Sequence, residues 1–259
     1  MITTATSVNF STVGRVGWLE FNRPPVNAFT RQMVEEVRHV IRGALEDDSV
    51  RVLVLASGID KYLSAGADLN AFKGMRSDDM REWVRLCHDI ANLLRASPKP
   101  LLAAINGTAV GGGLEMTLHC DLRFAADNAK LGQPEIRIGF IPPIATTQAL
   151  ARMLGRSRAI RYLYEGRILD AKEALALGLI DEIVPAASLR DRVQEYGNYL
   201  SEQSASALAA IRRTISLGGG MSFEDGMRLE LETAAGLADS PDFGEGVDAF
   251  LAERKPVRE

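Results

Sequence analysis

The residues of this chain best suited to chemistry are a pair of carboxylates and the glycine-bearing turns near them. Glu115 closes the run NGTAVGGGLE, from Asn106 to Glu115, in which four glycines fall between Gly107 and Gly113. At a strand-to-helix transition such a run lets backbone approach a ligand closely, because glycine lacks a Cβ and tolerates unusual dihedrals. Amides in the first turn of a helix have no intrahelical acceptors and point outward, where they stabilise developing negative charge. Glu115 stands beside that donor set. A second carboxylate, Glu135, follows 20 residues later at the end of GQPE. SAGAD, from Ser64 to Asp68, forms another loop, with a candidate free amide at Ala67 and with Asp68 placed to cap the helix after it. These residue types suit a reaction in which N–H groups hold an oxyanion while carboxylates move protons. The same glycines also describe a tight packing turn with an acidic residue at a favourable helix start, and spacing alone leaves both readings open. The run carries neither the dinucleotide-binding fingerprint nor the lysine of a phosphate loop.

Positioning these residues requires alternating strands and helices. Val16 to Phe21 reads as a strand that stops at NRPP. Thr30 then caps a helix with Met33, Val37, Val40, Ala44 and Leu45 at helical spacing. Residues 50–56 form a short valine- and leucine-rich run, the pattern of a buried strand. The next helix spans about 79–94, with Met80, Val84, Cys87, Ala91 and Leu94 on one face, which makes Cys87 a core residue. His39 falls off the first apolar stripe and His88 lies at the edge of the second, so both are expected to be exposed or satisfied. Leu101 to Ile105 is a strand, residues 112–120 a helix, and Leu122 to Ala126 a strand, the alternation of a layered α/β core. Ser157 is the expected cap of a helix through Tyr164. Asp170 with Glu173 makes a capping box for a helix stopped by Gly178. Beyond Pro185 the pattern is helical only, near 188–199, 204–217 and 222–238, with an amphipathic terminal piece. This divides the chain softly into a core, 1–195, and a helical region, 196–259. A few helices bury little alone, so the second part needs a core of its own or another subunit.

Composition excludes several classes of function. The 259 residues are 46% hydrophobic and 25% charged, which is ordinary for a globule and unlike a disordered chain. The net charge of −4 gives no overall bias toward nucleic acid. Cys87 and Cys120 are the two cysteines, too few for a disulfide scaffold or a cysteine-rich zinc module, and three histidines are too few for a His-rich metal cluster. The opening MITTATSVNFSTVGRVG lacks the basic start and apolar centre of a signal peptide, and no apolar run approaches the roughly 18–20 residues of a membrane span. A cytoplasmic location is the expectation.

Together, FNRP from Phe21, SAGAD, AINGTAVGGGLE from Ala104, Cys120-Asp121, ADNAKLGQPE from Ala126, GRILDAKEALALGLIDEIVP from Gly166 and AFLAERKP from Ala249 resemble the crotonase superfamily, particularly the enoyl-CoA hydratases. The resemblance covers about residues 10–256. It implies a spiral of ββα units with C-terminal helices that form trimers, often paired into hexamers, and an acyl-CoA thioester substrate with no metal or redox cofactor. By resemblance, the Ala67 and Gly112 amides form the oxyanion hole, and Glu115 and Glu135 are the two hydratase carboxylates. Arg23, Ala65 and the 61–68 loop line the CoA path, and Lys255 or Arg254 reaches a CoA phosphate from a neighbouring subunit. The reaction implied is addition of water across the 2,3 double bond, with Glu115 activating water and Glu135 handling the α-proton. The alternatives are an enoyl-CoA isomerase, which needs a single carboxylate, and a non-catalytic scaffold or RNA-binding member; two retained glutamates and the absence of a basic–aromatic stripe weigh against these. His119, four residues after Glu115, is expected to be a hydrogen-bonded structural histidine. One departure stands out: Phe140 to Thr147 reads FIPPIATT where hydratases commonly carry PGAGGT, so that Pro143 and Ile144 replace small residues beside the acyl pocket.

Overall fold

Val52 to Ala56 and Leu101 to Ile105 are apolar at every position, and every one of these side chains is buried. Unbroken apolar runs of this kind belong to parallel strands covered on both faces. The computed structural model describes residues 7–257, so the first six residues of the segment read for a targeting signal lie outside it. The strands are β1 (Val8–Val13), β2 (Val16–Phe21), β3 (Val52–Ser57), β4 (Tyr62–Ser64), β5 (Leu101–Ile105), β6 (Thr108–Val110), β7 (Leu122–Ala126), β8 (Lys130–Gly132), β9 (Ile168–Asp170) and β10 (Glu182–Val184). The helices are α1 (Arg31–Glu46), α2 (Ser77–Ala96), α3 (Gly112–Thr117), α4 (Thr146–Leu154), α5 (Arg156–Glu165), α6 (Ala171–Leu177), α7 (Leu189–Ser201), α8 (Ala205–Gly218), α9 (Phe223–Ala238) and α10 (Pro241–Leu251).

The strands form a larger sheet in the order β1-β2-β3-β5-β7-β10 and a smaller one in the order β4-β6-β8-β9. Beyond the antiparallel β1–β2 hairpin the larger sheet is parallel, and β4, β6 and β8 are parallel to one another. Three successive strand pairs, β3–β4, β5–β6 and β7–β8, each place their first strand in the larger sheet and their second in the smaller. With helices after each pair, the chain winds as the expected ββα spiral, closed by a C-terminal helical bundle.

The sequence-derived helix signals hold at most ends. The Thr30 hydroxyl accepts from the Met33 amide at 3.3 Å, and Met33, Val37, Val40 and Ala44 face the core. Asp170 and Glu173 form the capping box of α6. Ser157 is not a cap: α5 begins at Arg156 behind Gly155, whose φ of +77° takes the chain out of α4 and directly into α5. His39 and His88 are exposed. Among the described residues, no helix is long and apolar enough to cross a membrane.

Residue 195 falls inside α7, whose Leu189, Val193 and Gly197 are buried. After it, the apolar residues turn outward: Ile215, Phe223, Leu231 and Phe250 are all exposed. One buried side chain on α8 ties this region back. Arg212 Nε donates to both oxygens of Asp121 at 2.9 and 3.0 Å, while its terminal nitrogens donate to the Leu94, Arg95 and Ser97 carbonyls at 2.6–3.0 Å. Those carbonyls end α2, where backbone acceptors have no helical partner. Removing one member of a buried, hydrogen-bonded ion pair typically costs about 3–5 kcal/mol. Arg212→Ala is therefore expected to lose stability in that range in denaturant titrations at fixed protein concentration. Arg212→Lys, with one charge but no planar fork, should recover only part of it. A loss below about 1 kcal/mol for Arg212→Ala would contradict this role.

Candidate active site

The three chemically suggestive motifs begin where the three parallel strands of the smaller sheet end. SAGAD starts at the last residue of β4, the GGGLE turn follows β6, and QPE follows β8. Carboxyl ends of parallel strands are where open α/β layers leave a crevice for ligands. The adjacent strands bring the loops into contact, and the Gly111 amide donates to the Gly132 carbonyl at 3.1 Å. A cavity of about 260 Å³ lies there, lined in part by Ala65, Ala67, Gly112, Glu115 and Glu135.

Gly111 shows why this turn is glycine. Its φ is +52°, and a Cβ there would lie 2.8 Å from Glu135 Oε1. Gly113 is equally constrained, since a Cβ would stand 2.5 Å from that of Ser64 in the neighbouring loop. Gly112, at the first position of α3, leaves its amide without an intrahelical acceptor. In the other loop, Phe29 bridges to Ala67 by accepting from the Asp68 amide at 2.9 Å and donating to the Gly66 carbonyl at 2.8 Å. That pattern uses the amide and carbonyl flanking Ala67 and leaves its own N–H outside the ladder. The loop is braced from behind. Buried Asn27 donates to the Phe21 and Leu63 carbonyls and to Ser57 Oγ, and the Ser64 hydroxyl donates to the Asn27 carbonyl at 2.7 Å.

Glu115 is 1% exposed. Its Oε2 accepts from the Ile144 amide at 2.7 Å and the Thr146 hydroxyl at 2.8 Å. Loss of hydration pushes its carboxyl up to about 8, with the neighbouring Glu135 charge adding to the rise; the two donors pull the other way. Glu135 is half-buried at the start of the short helical turn Glu135–Ile138, and burial pushes it up to about 7. The buried Gln133 lies against Glu135, and its amide is assigned with the nitrogen facing the carboxylate, the orientation that satisfies both ends and gives donor distances of 3.1 and 3.2 Å. Both carboxyls are thus held above the ordinary carboxylate range and lose their protons as a coupled pair. Carboxyl groups raised in this way suit proton transfer in both directions.

His119 is structural, as expected. Its Nε2 donates to the Ile144 carbonyl at 2.7 Å, and burial lowers its pKa, which keeps the ring neutral. Ile144 is thereby held from both sides, since its amide serves Glu115. Asp68 caps the turn that follows it, with Oδ1 accepting from the Asn70 amide at 3.1 Å. Cys87 is buried and lines the cavity wall, its thiol raised by burial. Two residues carried over by resemblance lie elsewhere. Arg23 is outside the cavity lining, donating to the Ala28 carbonyl at 2.7 Å and to Asp68 at 3.4 Å. Lys255 is exposed beyond α10, and Arg254 is paired with both oxygens of Glu245. The sequence pattern does not mark Thr146, Gln133 or the Ile144 amide as site residues, and Thr146 stands 31 residues from the carboxylate that it serves. The only signal near it was the FIPPIATT departure. Among the described residues no group of three or more His, Cys, Asp or Glu is placed to hold a metal ion.

Known proteins match this chain over nearly its whole length. The family model described as enoyl-CoA hydratase/isomerase matches residues 12–259. A probable enoyl-CoA hydratase of Bacillus subtilis (strain 168) is 32% identical over 243 residues, covering 93% of this chain and 94% of that protein. A crotonyl-CoA hydratase of Syntrophomonas wolfei is 31% identical over 238 residues, 92% of each chain. Among solved structures, Pseudomonas aeruginosa DspI superposes with a TM-score of 0.95 at 31% identity, covering 100% of this chain and 98% of that one.

The donor set around Glu115 makes a prediction that needs no substrate. A hydrogen bond to a charged group is worth about 1.5–3 kcal/mol, and one pH unit corresponds to about 1.4 kcal/mol. Thr146→Val should therefore move the Glu115 titration up by about one to two pH units, as followed by carboxylate infrared difference spectra, and Thr146→Ser should restore it. Glu135→Gln, which removes a neighbouring negative charge, should move it down. A Glu115 titration unchanged in both Thr146→Val and Glu135→Gln would refute the arrangement described.

Proposed function

We propose, from the premise that this chain belongs to the enoyl-CoA hydratase/isomerase family, the crotonase superfamily, that it is an enoyl-CoA hydratase. Members of this family act on acyl-CoA thioesters. The observation that carries the finer reading is the presence of both carboxylates, Glu115 and Glu135, in one cavity with Ala67 and Gly112. An isomerase shuttles one proton and needs one carboxylate; water addition needs a base for water and an acid for the α-carbon.

In this reading the Ala67 and Gly112 amides receive the thioester oxygen of a 2-enoyl-CoA. In the free site Glu115, the more strongly raised of the two, is the preferred holder of the pair's proton, so the reactive form is the microstate in which that proton has passed to Glu135. Ionised Glu115, held through Oε2, then orients water with its other oxygen. Water oxygen bonds to the β-carbon while its proton passes to Glu115, and the π electrons move to the thioester oxygen as an enolate. Protonated Glu135 then delivers its proton to the α-carbon, and the electrons return to reform the carbonyl. The proton gained by one carboxylate balances that lost by the other. Each oxyanion-hole donor contributes a few kcal/mol to the step in which the enolate forms. No metal or redox group takes part in this scheme.

Ala65, in the cavity lining, is the proposed contact on the CoA side, with Arg23 behind the same loop; Lys255 is proposed to reach CoA phosphate from a neighbouring subunit. Residues 1–195 carry the site, and 196–259 serve assembly into a homotrimer or a hexamer. Ile215, Leu231 and Phe250, large apolar side chains exposed on three successive helices, support that assignment. A cytoplasmic location belongs to the same proposal.

Incubation with a short 2-enoyl-CoA should yield a product heavier by one water in mass spectra. An isobaric product would instead support the isomerase. Glu115→Gln and Glu135→Gln should each lower kcat about 10²- to 10⁴-fold with the fold retained. Near-normal turnover in either would remove that residue from the mechanism. Because the active pair holds one proton, the rate should rise as the first carboxylate ionises and fall as the second does. Both limbs should lie above the ordinary carboxylate range. Sedimentation should give a trimer or hexamer, and a stable monomer would overturn the assembly assignment.

A further inference from the structure

The cavity that holds the glutamates is walled in part by aromatic rings. Phe72 packs edge-on against Trp83 with centroids 5.2 Å apart, and against Phe140 at 6.3 Å. All three rings line the cavity together with Ala67 and Gly112. A second cavity of about 460 Å³ also has Phe140 in its wall, bounded by Val84, His88 and Ala91 of α2 and by the 140–148 segment. Phe140 and Pro143 line both spaces. They are a partition, and the structure has open volume on each side of it.

The partition is fastened at both ends. The Phe140 amide donates to the Glu135 carbonyl at 3.1 Å. Four residues on, Ile144 is held by Glu115 and by His119. Between these anchors stand Pro142 and Pro143, whose rings fix φ and remove two degrees of freedom. The backbone that carries Phe140 is therefore held in place by the same contacts that reach both glutamates. The inner cavity, at about 260 Å³, is at the small end of ligand sites, which run roughly 300–1,000 Å³.

We propose that Phe140 is the specificity-determining residue for acyl length: it closes the pocket on short chains, of butanoyl to hexanoyl size, and separates them from the outer cavity. This inference rests on the reading of the cavity as an acyl-CoA site. It has two consequences. Chain extension in the wild-type protein stops gaining affinity where the tail meets the Phe72–Trp83–Phe140 wall. Shortening Phe140 joins the two spaces and lets a longer tail continue past α2 toward His88 and Asn92.

Saturated acyl-CoAs from butanoyl to dodecanoyl test this by calorimetry without requiring turnover. Each buried methylene is worth about a fourfold gain in affinity. Wild-type affinity should climb to hexanoyl-CoA and then level or fall. In Phe140→Ala the climb should continue, raising the decanoyl-to-hexanoyl affinity ratio at least tenfold over wild type. Phe140→Trp, which keeps the wall and adds volume, should bring the break to a shorter chain; it also decides the matter if Phe140→Ala melts at the assay temperature. Wild-type affinity climbing smoothly to dodecanoyl-CoA, or a folded Phe140→Ala with the wild-type profile, would overturn the assignment of Phe140 while leaving the acyl-CoA site standing. Failure of every chain length to bind would instead overturn the acyl-CoA reading, and this inference with it.

Discussion

A carboxylate sealed from water is the constraint around which this molecule is arranged. Glu115 loses nearly all its hydration, a cost that proteins meet with hydrogen bonds or by neutralising the group. Here the compensation is partial and one-sided. The Ile144 amide and the Thr146 hydroxyl both serve Oε2, and both come from a segment that follows Glu115 by some thirty residues. Keeping that segment in place calls on His119 for the Ile144 carbonyl and on Glu135 for the Phe140 amide. The two glutamates are thus linked through backbone as well as through charge. A shift in either one is felt along the strip that joins them.

The smaller sheet converts a linear sequence into this arrangement. Strands β4, β6 and β8 have three residues each and bury little on their own. Their service is one of register: side by side and parallel, they deliver three loop origins to the same edge. Gly111 can then pass beneath Glu135, and Gly113 against Ser64, at separations that no other residue permits. Large parallel strands alone would form a core without such an edge. The ββα winding supplies both, one strand of each pair to the core and the other to the crevice.

Much of this was legible in the amino-acid sequence, for reasons that differ by scale. The central strands announced themselves as apolar runs, and α1 through its stripe and Thr30, because burial and capping are local signals. Strand β1 and the three-residue strands were not legible; a three-residue segment has no period to detect, and its pairing partner decides its conformation. Ser157 looked like a cap because its side chain is of capping type, but Gly155, able to take a positive φ, had already started the helix. At the site, Glu115, Glu135 and the glycine turn were visible as residue types in suggestive order. Thr146 and Gln133 were not, since a threonine in a loop or a glutamine before a proline gains meaning only from what the fold sets opposite. A structural role for His119 is legible, but its particular partner, the Ile144 carbonyl 25 residues on, is information that only three dimensions hold.

Arg212 connects two ends of the molecule that are otherwise described separately. Helix α2 carries Trp83 and Cys87 in the cavity wall near its start and middle, and its last carbonyls lie in the grasp of Arg212 from α8. A helix of 20 residues is a stiff rod some 30 Å long. One face of that rod borders the chemistry while its far end is nailed to the region whose apolar surface faces outward. The wall of the site is therefore not finished by the core alone. Its alignment is a property of the closed chain, in which the peripheral helices act as the abutment against which the inner helix is set.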